Sequence, residues 1–250
     1  MKKIVVANWK MNPKSVGQAK IIASEIVKKI LPLIGYDLVI CPPSLYLREL
    51  RKIVKLTSIK LGVQNVSDRD SGPFTGEISA PMVKPLASFA IIGHSERRTL
   101  FGETDEMVNL KVINVLAHGL RPIICMGENL EQMRRGETEV VIDQAEAALK
   151  NVGPKYIEKI TIAYEPVWAI GTGKNADAEY ANQKAYFIRQ AIASHYNREI
   201  ASKIPILYGG SVDAENVAEF INQAEINGVL VGGLSVQIDK FIEICEKIGK

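Results

Sequence analysis

Cysteine is scarce in this chain, with only Cys41, Cys125 and Cys245 among 250 residues and no C-x-x-C pair. That excludes a disulfide-built mini-protein and leaves reduced thiols in a cytoplasmic protein as the simplest reading. No apolar run approaches the roughly 20 residues that a membrane-spanning helix needs. The apolar stretch after Met1-Lys2-Lys3 ends at Ala7, too short for a signal-peptide core. Charge of one sign is not in excess either: 31 basic residues meet 28 acidic ones, for a net charge of +3. Without a basic stripe interleaved with aromatics, neither nucleic acid nor membrane is an expected partner. No group of His, Cys, Asp and Glu falls at metal-ligand spacing, so no metal is expected. What the chain does have is 47% hydrophobic and 24% charged residues, the makeup of an ordinary globular protein with a large core.

Eight short, β-branched apolar runs punctuate it: 4–7, 38–41, 59–63, 89–92, 122–125, 161–164, 204–208 and 229–231. Their mean spacing of about 32 residues leaves room for a strand, a helix and two loops each. Near-continuous apolar character points to strands buried on both faces, as in a parallel sheet. The intervening segments have helical periodicity. Ala19, Ile22, Ala23, Ile26, Val27 and Ile30 mark one inward face, with Ser15 and Gln18 as a capping box and Pro32 as the stop. Thr104 is placed to cap a helix with Val108, Val112, Val115 and Leu116 inward and Gly119 beyond its end, and Asp177 and Asp213 are placed to cap later ones. Eight such units without a Pro/Gly/Ser-rich linker favour one closed parallel barrel over an open doubly wound sheet. The open sheet predicts G-x-G-x-x-G after the first strand, where Asn8-Trp9-Lys10 stands instead.

In such a barrel, chemistry gathers where strands end. Glu165 follows an apolar run and reads either as half of a structural ion pair or a solvated loop residue, or, with Pro166 restricting where it points, as a general base. His94 follows Gly93 at a helical start, where the helix dipole disfavours the imidazolium form and leaves a neutral N–H donor. His118 and His195 fall within helical stretches and read as ordinary polar residues. Lys10, beside Asn8 at the end of the first strand, places a cation in the barrel mouth, within reach of Glu96. Gly209-Gly210-Ser211 and Gly232-Gly233 follow the last two strands. Each pair alone is equally an ordinary tight turn, but together they suit a phosphate. The apolar segment from Pro166 to Gly173 makes sense as a loop that folds over a ligand. The segment 64–77 is long for a connection, and its centre Gly72-Pro73-Phe74-Thr75-Gly76 holds an aromatic between turn formers.

These residues carry a resemblance to the triosephosphate isomerase family over the whole chain. The motifs are Asn8-Trp9-Lys10-Met11-Asn12, Gly93-His94-Ser95-Glu96-Arg97-Arg98, Ala163-Tyr164-Glu165-Pro166-Val167-Trp168-Ala169-Ile170-Gly171-Thr172-Gly173, Tyr208-Gly209-Gly210-Ser211-Val212 and Leu230-Val231-Gly232-Gly233. The resemblance implies a single (β/α)8 TIM-barrel domain over residues 1–250, a parallel eight-stranded closed sheet with outer helices. It implies interconversion of dihydroxyacetone phosphate and glyceraldehyde 3-phosphate without cofactor or metal. Carried over by motif, Glu165 is the base, His94 the electrophile, Lys10 the cation facing the enediolate, and Asn8 its polar neighbour. Gly171, Ser211, Gly232 and Gly233 match positions that hold the phosphate. The lid runs from Pro166 through Val167, Trp168, Ala169, Ile170, Gly171, Thr172, Gly173, Lys174 and Asn175 to Ala176, and Cys125 matches a strand-five cysteine. The family also implies a homodimer in which Thr75 reaches the partner's site. Asn175, Leu234, Pro13 and Pro73 depart from its usual pattern, at none of the proton-transfer positions. Another sugar-phosphate-binding barrel enzyme, or a non-catalytic binder, would keep the glycine pairs but has no reason to combine Lys10, His94 and Glu165.

Overall fold

Eight strands alternate with helices along the chain: β1 (Ile4–Asn8), β2 (Asp37–Cys41), β3 (Lys60–Val63), β4 (Phe89–Ile92), β5 (Arg121–Met126), β6 (Thr161–Tyr164), β7 (Ile206–Tyr208) and β8 (Gly228–Val231). The computed structural model describes residues 1–31, 35–169 and 176–249. Each strand pairs in parallel with the next, and β1 closes the barrel by pairing with β8 at Ile4↔Gly228 while it pairs with β2 at Ile4↔Asp37. The expected closed barrel is therefore the observed one. β7 begins two residues later than its apolar run, because Pro205 has no N–H to give to the ladder.

Side chains alternate between two cores, as the period of a strand requires. Ile4, Val6, Val39, Phe89, Ile91, Ile123, Cys125, Ala163, Leu207 and Leu230 fill the barrel. Their neighbours Val5, Ala7, Leu38, Ile40, Ile92, Ile124 and Ile162 pack outward under the helices. The helix Val16–Ile30 buries Ala19, Ile22, Ala23, Ile26 and Ile30, while Val27 is half-buried at the edge of that face. The Ser15 hydroxyl accepts from Gln18 N at 3.3 Å, but no return bond from the Gln18 side chain forms among the described residues, so this is a single cap. Pro32 lies outside the described residues. Thr104 caps Asp105–Ala117 through Met107 N at 3.3 Å, with Gly119 at φ +70 just beyond its end, and Asp177 caps Ala178–His195. Asp213 instead accepts from Glu215 N and Asn216 N in the turn ahead of Val217–Ile221, whose N-cap is Asn216. No helix among the described residues is long and apolar enough to cross a membrane.

Candidate active site

Continuing the two-residue period past the aliphatic layers sets the site. Inward positions two beyond Val6, Ala163, Leu207 and Leu230 are Asn8, Glu165, Gly209 and Gly232. One carboxylate and one amide thus point into the barrel mouth, and glycines leave the space around them. A Cβ on Gly209 would stand 2.9 Å from Glu165 Cγ, and one on Gly232 would stand 3.2 Å from Lys10 Cε. The glycines of both pairs therefore make room for the reactive side chains as well as for a ligand.

Lys10 has φ +51, a left-handed conformation that a residue with a side chain adopts at a cost of roughly 1–2 kcal/mol. Its backbone is pinned there: Lys10 N donates to Asn8 Oδ1 at 3.1 Å, and Gln64 Nε2 donates to Lys10 O at 2.8 Å. The ammonium pairs with Glu96 Oε1 at 2.5 Å. His94 caps the helix Ser95–Phe101. Its Nδ1 accepts from Glu96 N at 3.2 Å, so the proton of the neutral ring sits on Nε2. Glu165 is 1% exposed. Its Oε2 accepts from Ser95 N at 2.8 Å, while Oε1 lies 3.2 Å from His94 Nε2 without the alignment of a hydrogen bond. Burial, and then the neighbouring Glu165 carboxylate, push the Cys125 thiol well above its ordinary range, so it stays protonated.

Two cavities flank this cluster. One, of about 680 Å³, is lined by Lys10, His94, Ser211, Gly232, Gly233 and Leu234, among others. The second, of about 610 Å³, lies on the other side of Lys10 and His94, against Asn8, Gln64 and Phe101. The helix after β7 starts only at Val217, and one helical turn, Gly233–Val236, follows β8. Ser211 Oγ donates to Ala169 O at 3.0 Å. Of the lid segment, Pro166 to Ala169 and Ala176 are described; Ile170, Gly171, Thr172, Gly173, Lys174 and Asn175 lie outside the described residues. Thr75 is exposed, on the loop after β3. His118 pairs with Asp70 at 2.8 Å and His195 packs on Tyr196, both away from the cluster.

Sequence reading missed Glu128, which is fully buried two residues beyond β5. Its Oε1 accepts from Tyr164 OH at 2.8 Å, Tyr180 OH at 2.9 Å and Trp168 Nε1 at 3.0 Å, and its backbone O accepts from Val167 N at 3.1 Å. The available signal was its place: a carboxylate just past an apolar strand, like Glu165. Gln64, which holds Lys10, gave no such signal.

A closed parallel barrel with a carboxylate, an imidazole and an ammonium converging at the carboxyl ends of its strands belongs to the barrel enzymes. The family model described as triosephosphate isomerase matches residues 3–248. The chain is 44% identical to the triosephosphate isomerase of Thermoanaerobacter pseudethanolicus, over 96% of this chain and 97% of that protein. It is 45% identical to that of Dictyoglomus thermophilum, over 98% and 99% of the two chains. The chain belongs to the triosephosphate isomerase family.

Proposed function

We propose that residues 1–250 act as one barrel domain whose Glu165, His94 and Lys10 interconvert dihydroxyacetone phosphate and D-glyceraldehyde 3-phosphate. The reaction moves a hydrogen between adjacent carbons and a proton between the oxygens they carry. No net electron transfer occurs, so this chemistry calls for no redox cofactor. Glu165 takes the proton from one carbon, leaving an enediolate, and returns it to the other. His94 Nε2–H faces the oxygens, and the Lys10 ammonium stabilises the negative charge that builds on them. Asn8 holds the Lys10 backbone in its left-handed conformation. Ser211, Gly232, Gly233 and, by motif, Gly171 hold the phosphate. The segment Pro166 to Ala176 covers the substrate and keeps water from the enediolate.

One observation carries this reading: a carboxylate held at the barrel mouth with Oε1 short of a hydrogen-bond donor among the described residues, 3.2 Å from an imidazole N–H. A base engaged only at Oε2 is available for proton transfer once its side chain turns from Ser95 towards a bound triose. A coupled assay of triose interconversion by the purified protein tests it. Turnover at ordinary enzymatic rates is expected, and absence of turnover in folded protein overturns it. A barrel acting on another sugar phosphate is not favoured, since nothing in that reading requires the three groups together.

The functional unit is a homodimer. The 610 Å³ cavity opens beside Lys10 and Asn8, close to exposed apolar residues such as Met11 at 92% and Phe101 at 67% exposure. The loop carrying Phe74 and Thr75 continues into Gly76, Glu77 and Ile78, which line the same cavity, and in a homodimer its tip would enter the partner's. Three buried free thiols suit a cytoplasmic setting.

A further inference from the structure

We infer that Tyr180 is a positioning residue for the reaction, joining the helix Ala178–His195 to the backbone that carries Glu165. The inference rests on Glu165 being the base. Its starting point is the unusual load on one oxygen atom. Glu128 Oε1 takes hydrogen bonds from Tyr164, on β6, from Trp168, three residues past the base, and from Tyr180, on the helix that follows. Glu128 also fixes Val167 through its backbone carbonyl. The stretch from Glu165 to Trp168 is thus held at two points by a single buried residue, and Tyr180 is the one donor in the set that comes from outside the base's own strand and the segment leaving it.

Tyr180 does more than donate. Its ring meets the Trp168 indole edge to face, with centroids 5.9 Å apart at 76°. The Lys184 ammonium lies 5.3 Å from the centre of that ring, one helical turn along, so the phenol is fixed from a second side. Burial, followed by the Glu128 carboxyl group, raises the pKa of both Tyr164 and Tyr180 far above the ordinary phenol range, so both remain donors at any working pH. A rigid ring, held by its own helix, therefore sets where the indole lies. The indole and Glu128 together set the backbone two and three residues past the base. The backbone of Glu165 is held in turn by its N–H to Met126 O at 2.7 Å. A carboxylate aimed from this backbone is sensitive to displacements of a fraction of an ångström, because misplacement of a reacting group by about 1 Å costs on the order of 10²-fold in rate.

Tyr180→Phe removes the hydroxyl and keeps the ring; Tyr180→Ala removes both. For Tyr180→Phe, kcat is expected to fall about three- to tenfold with KM within about twofold, the pattern of lost transition-state alignment. Tyr180→Ala should fall further in the same direction. The chain has two tryptophans, Trp9 and Trp168, and Trp9 is fully buried. Acrylamide quenching therefore reads Trp168, and it should rise in both variants. Wild-type kcat and wild-type quenching in Tyr180→Phe would overturn the inference. So would a loss of kcat that only tracks a lower Tm and a smaller folded fraction. Glu165→Asp separates this from the reading beneath it: it should lower kcat without changing the quenching of Trp168. If Glu165→Asp leaves kcat intact, the base assignment fails, whereas failure confined to the Tyr180 variants leaves that assignment standing.

Discussion

At the scale of residues, Glu165 and Lys10 are the groups whose removal separates rate from affinity. Glu165→Asp withdraws the carboxylate by about one carbon–carbon bond, ~1.5 Å. The phosphate contacts are untouched, so kcat should fall by about 10²-fold or more while KM stays within a few-fold. Steady-state kinetics checks this, and a loss confined to KM would make Glu165 a binding residue. Lys10→Met removes the cation that, in the proposed mechanism, serves both bound substrate and enediolate. Both KM and kcat should worsen, with kcat/KM down about 10²- to 10³-fold. Unchanged affinity for a phosphate-bearing competitive inhibitor would take Lys10 out of the site. Asn8, Lys10, His94 and Glu165 were legible in the sequence because polar residues at the ends of apolar strands stand out against their surroundings. Glu128 and Tyr180 were not, because they meet across 52 residues. Nothing in the pattern around Tyr180 separates a buried donor from a solvated one, and for Glu128 the one local signal was its place just past β5.

At the scale of elements, helix caps and inward faces were legible because both depend on neighbours within four residues. Lys111 shows where that stops. It shares the buried face of Asp105–Ala117 with Val108 and Val112 and is itself buried, a placement that apolar periodicity alone argues against. Its reason is Glu103, which accepts from Lys111 and from Arg97 of the preceding helix. Burial alone would raise the Glu103 carboxyl. The donors outweigh it and hold the group below its ordinary value of 4.5. A carboxyl whose folded value is depressed contributes stability that is fully present above its unfolded value and is lost as pH falls through the folded one. Glu103→Gln should therefore destabilise the protein by about 3–5 kcal/mol near neutrality, since it strands a buried ammonium. The gap between variant and wild type should narrow steadily below about pH 4.5. Thermal melts of both proteins across that range are the check. A gap that stays constant into acid would mean that Glu103 contributes by packing rather than by charge.

At the scale of the whole molecule, barrel closure was legible from eight repeats of one pattern, while the proposed association of two barrels rests on a single loop. The segment between β3 and the helix Ala80–Val83 is ordered by its own contacts. Arg69 lies over the Phe74 ring at 5.9 Å, Asp70 pairs with His118 at 2.8 Å, and Ser67 N donates to Ile78 O at 2.8 Å. A loop so preformed loses little entropy when it docks, and Pro73 lowers that cost further by fixing its own φ. Phe74 stays 43% exposed despite these contacts, an apolar tip whose burial in a second copy would be favourable. Around the neighbouring cavity stand Met11, 92% exposed, and Leu100, 74% exposed, which the same contact would cover. Lys10 and His94 border that cavity, so a partner's Thr75 entering it would abut the reactive groups from outside their own barrel. If the proposed dimer forms, replacing Phe74, Thr75 and Gly76 with polar residues should give folded monomers with activity reduced by about an order of magnitude or more, because a partner's loop would no longer steady Lys10 and His94. Light scattering read beside the isomerase assay measures both effects, and circular dichroism shows whether the barrel persists. Monomeric wild-type protein at micromolar concentration with full activity would remove the dimer from the mechanism. Dimeric protein whose loop variant keeps full activity would leave the dimer and discard the role of its loop.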